Sequence, residues 1–244
     1  DRWLYEQFHH PDNATYSKWG GFIDDVDQFD PLVFNIAPAE AHSIDPQERK
    51  FLQHTWMALE DSGYTAESLN ACAKQVGTFV GVMWDDYVAV AKDINPQSYT
   101  LASARHAIAN RVSYCFNFHG PSMVVDTSCS SGLTAIHLAC ESLRSGECNV
   151  AIAVGVNLIL HPDHYLHLNS LRMVSENSNC NAFSDNGTGW VPGEGVGVVV
   201  LKPLAQAIAD NDNIHAVIKS SYINHSGRTH QFGMPNADAQ SELI

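Results

Sequence analysis

The sequence predicts an α/β protein with layered packing. Short apolar runs rich in valine and isoleucine alternate along the chain with stretches whose apolar residues recur at helical spacing. The longest apolar run, 149–160, is nearly continuous, as expected for a strand that is covered on both faces. The composition, 45% hydrophobic and 16% charged over 244 residues, is that of an ordinary globular protein. One domain, or a large part of one, is therefore expected, with parallel strands joined through helices.

The first predicted helix begins in the segment 45–48. Residues 1–44 lack a sustained period and predict loops and short turns. Asp45 is a good N-cap, Pro46 suits the first helical position, and Glu48 completes a capping-box pattern. Gly63 is expected to end the helix. Its predicted apolar stripe consists of Leu52, Trp56 and Leu59.

Strands and helices alternate along the rest of the chain. Strands are predicted at 76–83, 123–126, 149–160, 196–201 and 216–222. Helices are predicted at 102–114, 130–145 and 205–209. Gly146 is expected to close the 130–145 helix. The apolar face of that helix is predicted to carry Leu133, Ile136, His137, Cys140 and Leu143.

Cys129 lies where a predicted strand turns directly into a predicted helix, in the segment DTSCSS (126–131). A thiol in the first turn of a helix faces unpaired backbone N–H groups and the positive end of the helix dipole, which favours a thiolate. The same N–H groups could bind the oxyanion formed when the sulfur attacks a carbonyl. Gly132 would permit close approach of whatever docks above the sulfur. The residues therefore predict a nucleophile, with a small buried cysteine as the alternative.

Other candidate sites are weaker. Cys140 and Cys148 are interpreted as packing residues, and Cys72, Cys115 and Cys180 have no distinctive context. The six cysteines show no zinc or CxxC spacing, so reduced thiols in the cytoplasm are expected. Three histidines recur every third residue without a further ligand, and no metal site is predicted for His161, His164 and His167. His137 is too far along its helix to serve Cys129 as a base, whereas His225 and His230 could approach an active site.

Two glycine-rich segments, 187–189 and 193–197, superficially resemble a phosphate loop. Neither carries the Lys-Ser/Thr pair, and a strand follows the glycines instead of preceding them. A tight turn that crowds a neighbouring backbone is predicted instead of a nucleotide site. Acidic residues outnumber basic ones 27 to 13, which gives a net charge of −14 and argues against nucleic acid or an anionic membrane as partner. No apolar run is long enough to predict a membrane span.

Taken in order, these motifs resemble the β-ketoacyl synthase domain of modular polyketide synthases, within the thiolase-like condensing enzymes. Ser128 stands where that family usually has alanine, similar to domains from synthases whose acyltransferase acts in trans. Asn179 and Ser184 replace a basic residue and an aspartate in a loop. The matching segments are DPQER (45–49), WMALEDSGY (56–64), GV (81–82), DDY (85–87), NRVSY (110–114), GPS (120–122), DTSCSS (126–131), GEGVG (193–197) and NADAQ (236–240).

The resemblance implies a thiolase-like αβαβα layered fold, of which residues 1–244 would be the N-terminal half and the start of the second half. It implies that Cys129 is the acyl-thioester nucleophile and that its backbone N–H contributes to the oxyanion hole. An acyl chain would arrive on the phosphopantetheine arm of an acyl carrier protein and condense with a malonyl-type extender. No bound cofactor or metal is implied. Neighbouring synthase domains and a second copy of the chain, forming a homodimer, are the other expected partners.

The resemblance also implies that the family's opening strand precedes Asp1 and that its two catalytic histidines follow Ile244. No condensation by the isolated residues is then expected, and no stable fold of their own is implied. Four other interpretations remain open. They are a fatty-acid or iterative condensing enzyme, a non-elongating acyl-transfer domain, a cysteine-dependent acyl hydrolase, and a fragment without activity.

Overall fold

The central strand is a run of six fully buried residues, β1 (Val76–Gly81). The computed structural model describes residues 15–73, 75–94, 104–231 and 233–244. Three further strands are β2 (Ser122–Val125), β3 (Val150–Asn157) and β4 (Gly195–Leu201). They form one sheet with β1 in the order β2-β1-β3-β4. The pairs β1–β2 and β1–β3 are parallel, and β3–β4 is antiparallel.

Helices follow the strands in the alternation that the sequence predicts. A 3-10 turn, Pro31–Phe34, precedes the first α-helix. No helix in the described ranges is long and apolar enough to cross a membrane. The helices are α1 (Pro38–Ala41), α2 (Pro46–Asp61), α3 (Ala66–Cys72), α4 (Asp86–Ile94), α5 (Arg105–Cys115), α6 (Ser131–Ser145), α7 (Pro162–Ser170), α8 (Leu204–Ala209) and α9 (Ala237–Leu243).

Helices cover both faces of the sheet, which confirms the α/β class. Helix α6 packs on one face, against β1 and β3, whereas α2 and α5 pack on the other. The larger apolar cluster lies on the α2 and α5 side and includes Phe51, Leu52 and Ile152. The smaller cluster lies beneath α6 and includes Phe79, Ala135 and Ala139. The apolar run predicted as a doubly covered strand is β3, which begins one residue later and ends three residues earlier than the predicted 149–160.

Helix α2 begins and ends where the sequence predicts, but two of its side chains differ from expectation. Asp45 accepts a hydrogen bond from the Gln47 N–H at 2.8 Å, as an N-cap should. Glu48 does not complete a capping box, because its buried carboxylate is paired with Arg111 of α5. Trp56 is 43% exposed and donates to Glu60, so its place in the buried stripe was a wrong prediction. Thr55, fully buried, occupies that face instead.

Helix α6 begins at Ser131, one residue later than predicted, and is closed as predicted by Gly146, whose φ is +77°. The predicted apolar face is only partly correct, since Leu133 is 76% exposed. The helix lies so close to the sheet that its buried face consists mainly of small side chains, among them Ala135, Ala139 and Ser142. Large side chains would not fit at that separation.

The predicted strand 216–222 is wrong. This segment forms no ladder with any described strand, and a strand requires a partner for its backbone groups. Val217 and Ile218 instead line a cavity of about 530 Å³, together with Ile136 and Cys140 of α6. The helix predicted at 102–114 begins at Arg105, and residues 102–103 lie outside the described part of the chain.

The buried N-cap Asp45 makes the stability of the fold depend on pH. Burial raises the pKa of its carboxyl to about 6, although hydrogen bonds from Gln47 oppose the change. The folded state therefore holds the proton more tightly than the unfolded chain, whose value is 3.8. This stabilisation is complete below about pH 4 and is lost as the pH rises through 6, a change of about 2–3 kcal/mol.

Asp45→Asn keeps a good N-cap and removes the charge. The variant should gain stability relative to wild type as the pH rises from 4 to 7, measured by urea unfolding at each pH. The matched control is Asp238→Asn in the first turn of α9, because it removes an exposed carboxylate in place of a buried one. A stability difference between Asp45→Asn and wild type that does not change with pH would contradict this explanation.

Candidate active site

Cys129 lies in a turn between β2 and α6, with its side chain exposed. The sequence placed it in the first turn of the helix, but α6 begins two residues later, at Ser131. The Ser131 hydroxyl causes this delay, because it accepts from the Thr127 N–H at 2.9 Å and donates to the Ser128 carbonyl at 2.6 Å. These bonds hold the intervening residues outside the helix, and the Cys129 sulfur lies 3.9 Å from the Ser128 hydroxyl.

Ser128 is the residue that turns the chain, with a φ of +60°. Left-handed backbone costs a residue other than glycine about 1–2 kcal/mol, so neighbouring contacts must hold it. The Asp126 carboxylate accepts from the Ser128 N–H at 3.0 Å, and the Ser131 N–H donates to the Ser128 carbonyl at 3.0 Å. The peptide groups on both sides of Ser128 are thus fixed, and with them the direction in which Cys129 leaves the turn.

Hydroxyl groups fill the inside of this turn, which explains the run of serine and threonine around the cysteine. Thr127 Oγ1 lies 2.9 Å from Ser130 Oγ and 3.0 Å from Thr134 Oγ1. Ser130 and Thr134 also donate to the carbonyls of Thr127 and Ser130, respectively. Such local bonds compete with helix formation and are typical of helix starts.

Three glycines bring the start of α6 against the sheet. A Cβ built on Gly81 of β1 would lie 2.4 Å from the Gly132 nitrogen and 2.4 Å from the Ser131 carbonyl carbon. A Cβ on Gly132 would lie 3.5 Å from the Gly155 Cα of β3. Gly132 was predicted to make room above the sulfur. Its observed contact is with the strand beneath the helix.

Arg105, the first residue of α5, connects the ends of two strands beside the cysteine. Its guanidinium pairs with Asp126 at 2.5 Å and with Asp85 at 3.4 Å. Met83 lies in the same loop as Asp85, and its sulfur accepts from the Ser128 hydroxyl at 3.4 Å. Sequence reasoning missed these contacts, because they join segments that are about 20 to 45 residues apart and no local spacing marks them.

The other cysteines differ from Cys129 in burial or position. Cys140 and Cys148 are buried, which confirms their interpretation as packing residues, and burial raises the pKa of both thiols. Burial also raises the pKa of the Cys115 thiol to about 11. Cys72 and Cys180 are exposed, at the end of α3 and in the loop before β4.

The three regularly spaced histidines contact carboxylates and an aromatic ring. His161 lies 2.9 Å from Asp93, and buried His164 lies 2.9 Å from Asp86. His167 packs edge-on against the Trp84 ring. Across the described residues, no group of three or more histidine, cysteine or carboxylate side chains is arranged to hold a metal ion.

Two further candidate histidines, His137 and His225, contact residues outside the Cys129 turn. His137 contacts the Ser221 hydroxyl at 3.0 Å, and His225 accepts from the Gly227 N–H at 2.9 Å.

The predicted crowding of a glycine turn is confirmed at Gly189, where a Cβ would lie 2.4 Å from the Val174 carbonyl carbon. It is wrong for the second glycine segment, because a Cβ would meet nothing within 4 Å at Gly193, Gly195 or Gly197.

Comparisons with known proteins show the family to which the chain belongs. The model of the β-ketoacyl synthase N-terminal domain matches residues 1–207. Polyketide synthase PksL of Bacillus subtilis is 48% identical over 255 residues, and ThaG of Burkholderia thailandensis is 49% identical over 250. Both alignments cover 100% of this chain. The chain spans only 6% of the length of PksL and 4% of that of ThaG.

Solved structures give the same result. The oxazolomycin ketosynthase domain of Streptomyces albus superposes with a TM-score of 0.92 at 43% identity, over 99% of this chain and 43% of that one. A ketosynthase from module 6 of the bacillaene synthase of Bacillus subtilis gives 0.90 at 38% identity, over 99% and 41%. The thiolase-like fold expected from the motifs is therefore confirmed, and the chain belongs to the β-ketoacyl synthase family.

Proposed function

We propose that this chain carries the nucleophile of a polyketide ketosynthase, and that Cys129 accepts the growing acyl chain. The observation that supports this most strongly is the exposed cysteine in the DTSCSS turn. The left-handed residue Ser128 holds it ahead of the first residue of α6. A second support is that Cys140 and Cys148 are buried, whereas Cys129 is exposed.

In the first proposed step, the Cys129 thiolate attacks the carbonyl of an acyl thioester on the phosphopantetheine arm of an acyl carrier protein. The new carbon–sulfur bond forms as the bond to the pantetheine sulfur breaks, and the released thiolate takes up a proton. Thioester exchange is nearly balanced in free energy, so the chain can be held and passed on. We assign the Cys129 backbone N–H to the oxyanion hole, where it would stabilise the tetrahedral intermediate.

In the second proposed step, a malonyl-type extender on the carrier loses CO₂. The resulting enolate carbon attacks the Cys129 thioester, a carbon–carbon bond forms, and the Cys129 thiolate leaves. The product is a β-ketoacyl thioester on the carrier. This chemistry requires no metal or bound cofactor on the chain, since the phosphopantetheine belongs to the carrier.

The proposed setting is a multidomain synthase in the cytoplasm. Relatives such as PksL are far longer than this chain, so neighbouring synthase domains are among the expected partners. We also propose a homodimer, formed next to the strand that leads to Cys129. Its support is the position of β2 at one edge of the sheet, where Met123 is 39% exposed.

The test uses the natural full-length protein with acyl and malonyl groups on separate carrier proteins, followed by intact-mass measurement. We expect the mass of the acyl group to appear on the synthase, and then a β-ketoacyl product on the malonyl carrier. An acyl group that moves between carriers without elongation would favour the non-elongating alternative. Release of free acid would favour a hydrolase, and no transfer at all would contradict the proposal.

A further inference from the structure

The geometry points to Asp126, anchored by Arg105, as a positioning residue for Cys129. We propose that its carboxylate holds Ser128 in the left-handed conformation and thereby aims the sulfur at the acyl carbonyl. The inference deepens the proposed function and rests on it. Asp126 lies two positions before Ser128 in the chain, and its effect on Cys129 is transmitted through the backbone of Ser128.

The two carboxylate oxygens of Asp126 have separate partners. Oδ1 accepts from the Ser128 N–H at 3.0 Å, and Oδ2 is paired with the Arg105 guanidinium at 2.5 Å. Arg105 is in turn paired with Asp85 at 3.4 Å, after the end of β1. The guanidinium therefore links the loop that follows β1 to the loop that follows β2. It also fixes the orientation of the carboxylate that accepts from the Ser128 N–H.

This contact is needed because serine does not favour the conformation it holds. Glycine adopts a φ of +60° without steric cost, whereas any residue with a Cβ is strained in this conformation. If the carboxylate were removed, Ser128 could relax to an extended or right-handed conformation. Such a change at one residue rotates the next side chain, so Cys129 would point elsewhere while the fold of the sheet and helices remained.

The surface ion pair alone is a weak stabiliser. Its side chains are 37% and 41% exposed, and pairs of this kind contribute little to the free energy of unfolding. If Asp126 had only a structural function, its replacement should change both the acylation rate and the stability little. If it positions Cys129, its replacement should lower the acylation rate more than the stability, and the size of that loss should depend on which residue occupies position 128.

The experiment compares Asp126→Ala, Asp126→Asn, Ser128→Gly and the double variant Asp126→Ala/Ser128→Gly in the natural full-length protein. The rate of acylation by a short acyl thioester is followed by intact mass, and the unfolding temperature by calorimetry. We expect Asp126→Ala to acylate roughly tenfold more slowly, and Asp126→Asn only about two- to threefold more slowly, since its amide oxygen can still accept. The double variant should recover most of the rate, because glycine adopts the turn unaided.

Arg144→Ala is the matched control for loss of a surface arginine. Arg144 pairs with Glu141 near the far end of α6, about 20 Å along the helix from Ser131. It should leave the acylation rate unchanged, whereas Arg105→Ala should lower it about threefold. Equal rates for Asp126→Ala and wild type would overturn the proposal. So would a double variant no faster than Asp126→Ala, or a rate that falls only in proportion to the folded fraction.

A second readout separates this inference from the proposed function. Iodoacetamide alkylates exposed thiols, so the ratio of modification at Cys129 to that at Cys180, measured by peptide mass, reports the orientation of Cys129 without any acyl chemistry. We expect the ratio to change at least about threefold in Asp126→Ala and to return in the double variant. If wild type accepted no acyl group, the proposed function would fail, and this ratio would still decide the positioning.

Discussion

Replacing Cys129 with alanine is expected to abolish acyl loading of the protein. No other described cysteine lies in the turn between β2 and α6, and burial raises the pKa of the Cys115 and Cys140 thiols. Loss of a covalent nucleophile removes the step itself, so the rate should fall at least about a thousandfold. The measurement is the rate at which the full-length protein gains the mass of the acyl group from a carrier-bound thioester.

Cys180→Ala provides the matched control, since it removes an exposed thiol from the loop before β4. This variant should load at the wild-type rate. Cys129→Ser should load far more slowly than wild type, because a hydroxyl is a much weaker nucleophile than a thiolate. Loading of Cys129→Ala at a rate near that of wild type would mean that another residue receives the acyl group.

The second large effect is expected from Gly81→Ala at the end of the inner strand β1. The added Cβ would lie 2.4 Å from backbone atoms of Ser131 and Gly132, which cannot rotate away as a side chain could. The start of α6 would have to move off β1, and overpacking of this kind costs about 1–3 kcal/mol or more. We expect a lower unfolding temperature and, because the Cys129 turn rests on the same residues, slower acyl loading.

Gly197→Ala in β4 is the control for this substitution, because a Cβ there meets nothing within 4 Å. It should change neither the unfolding temperature nor the loading rate appreciably. If Gly81→Ala proved as stable and as reactive as Gly197→Ala, the close approach of α6 to the sheet would not be a requirement of the site.

The sequence predicted those elements whose boundaries depend on local chemistry. Asp45 and Pro46 mark the start of α2, and Gly146 marks the end of α6, because caps act within a few residues. The strands β1 and β3 follow from continuous apolar runs. Cys129 was found through its motif, and the structure places it in an exposed turn that differs by two residues from the predicted helical position.

The errors share a physical origin in contacts between distant segments. Glu48 fits a capping box by spacing, yet it pairs with Arg111, 63 residues away. Leu133 fits the apolar face of α6, but the glycine contact at Gly132 selects a face of small residues. The pairing of Asp126 with Arg105 depends on the position of α5. None of these can be derived from spacing within one element.

The most direct test of the account is the location of the acyl group on the loaded protein. After a brief reaction of the full-length protein with a carrier-bound acyl thioester, peptide mass analysis would assign the added mass to individual cysteines. We expect the added mass on the peptide containing Cys129, with Cys72 and Cys180 unmodified. An acyl group on either of these exposed thiols, with Cys129 free, would contradict this expectation.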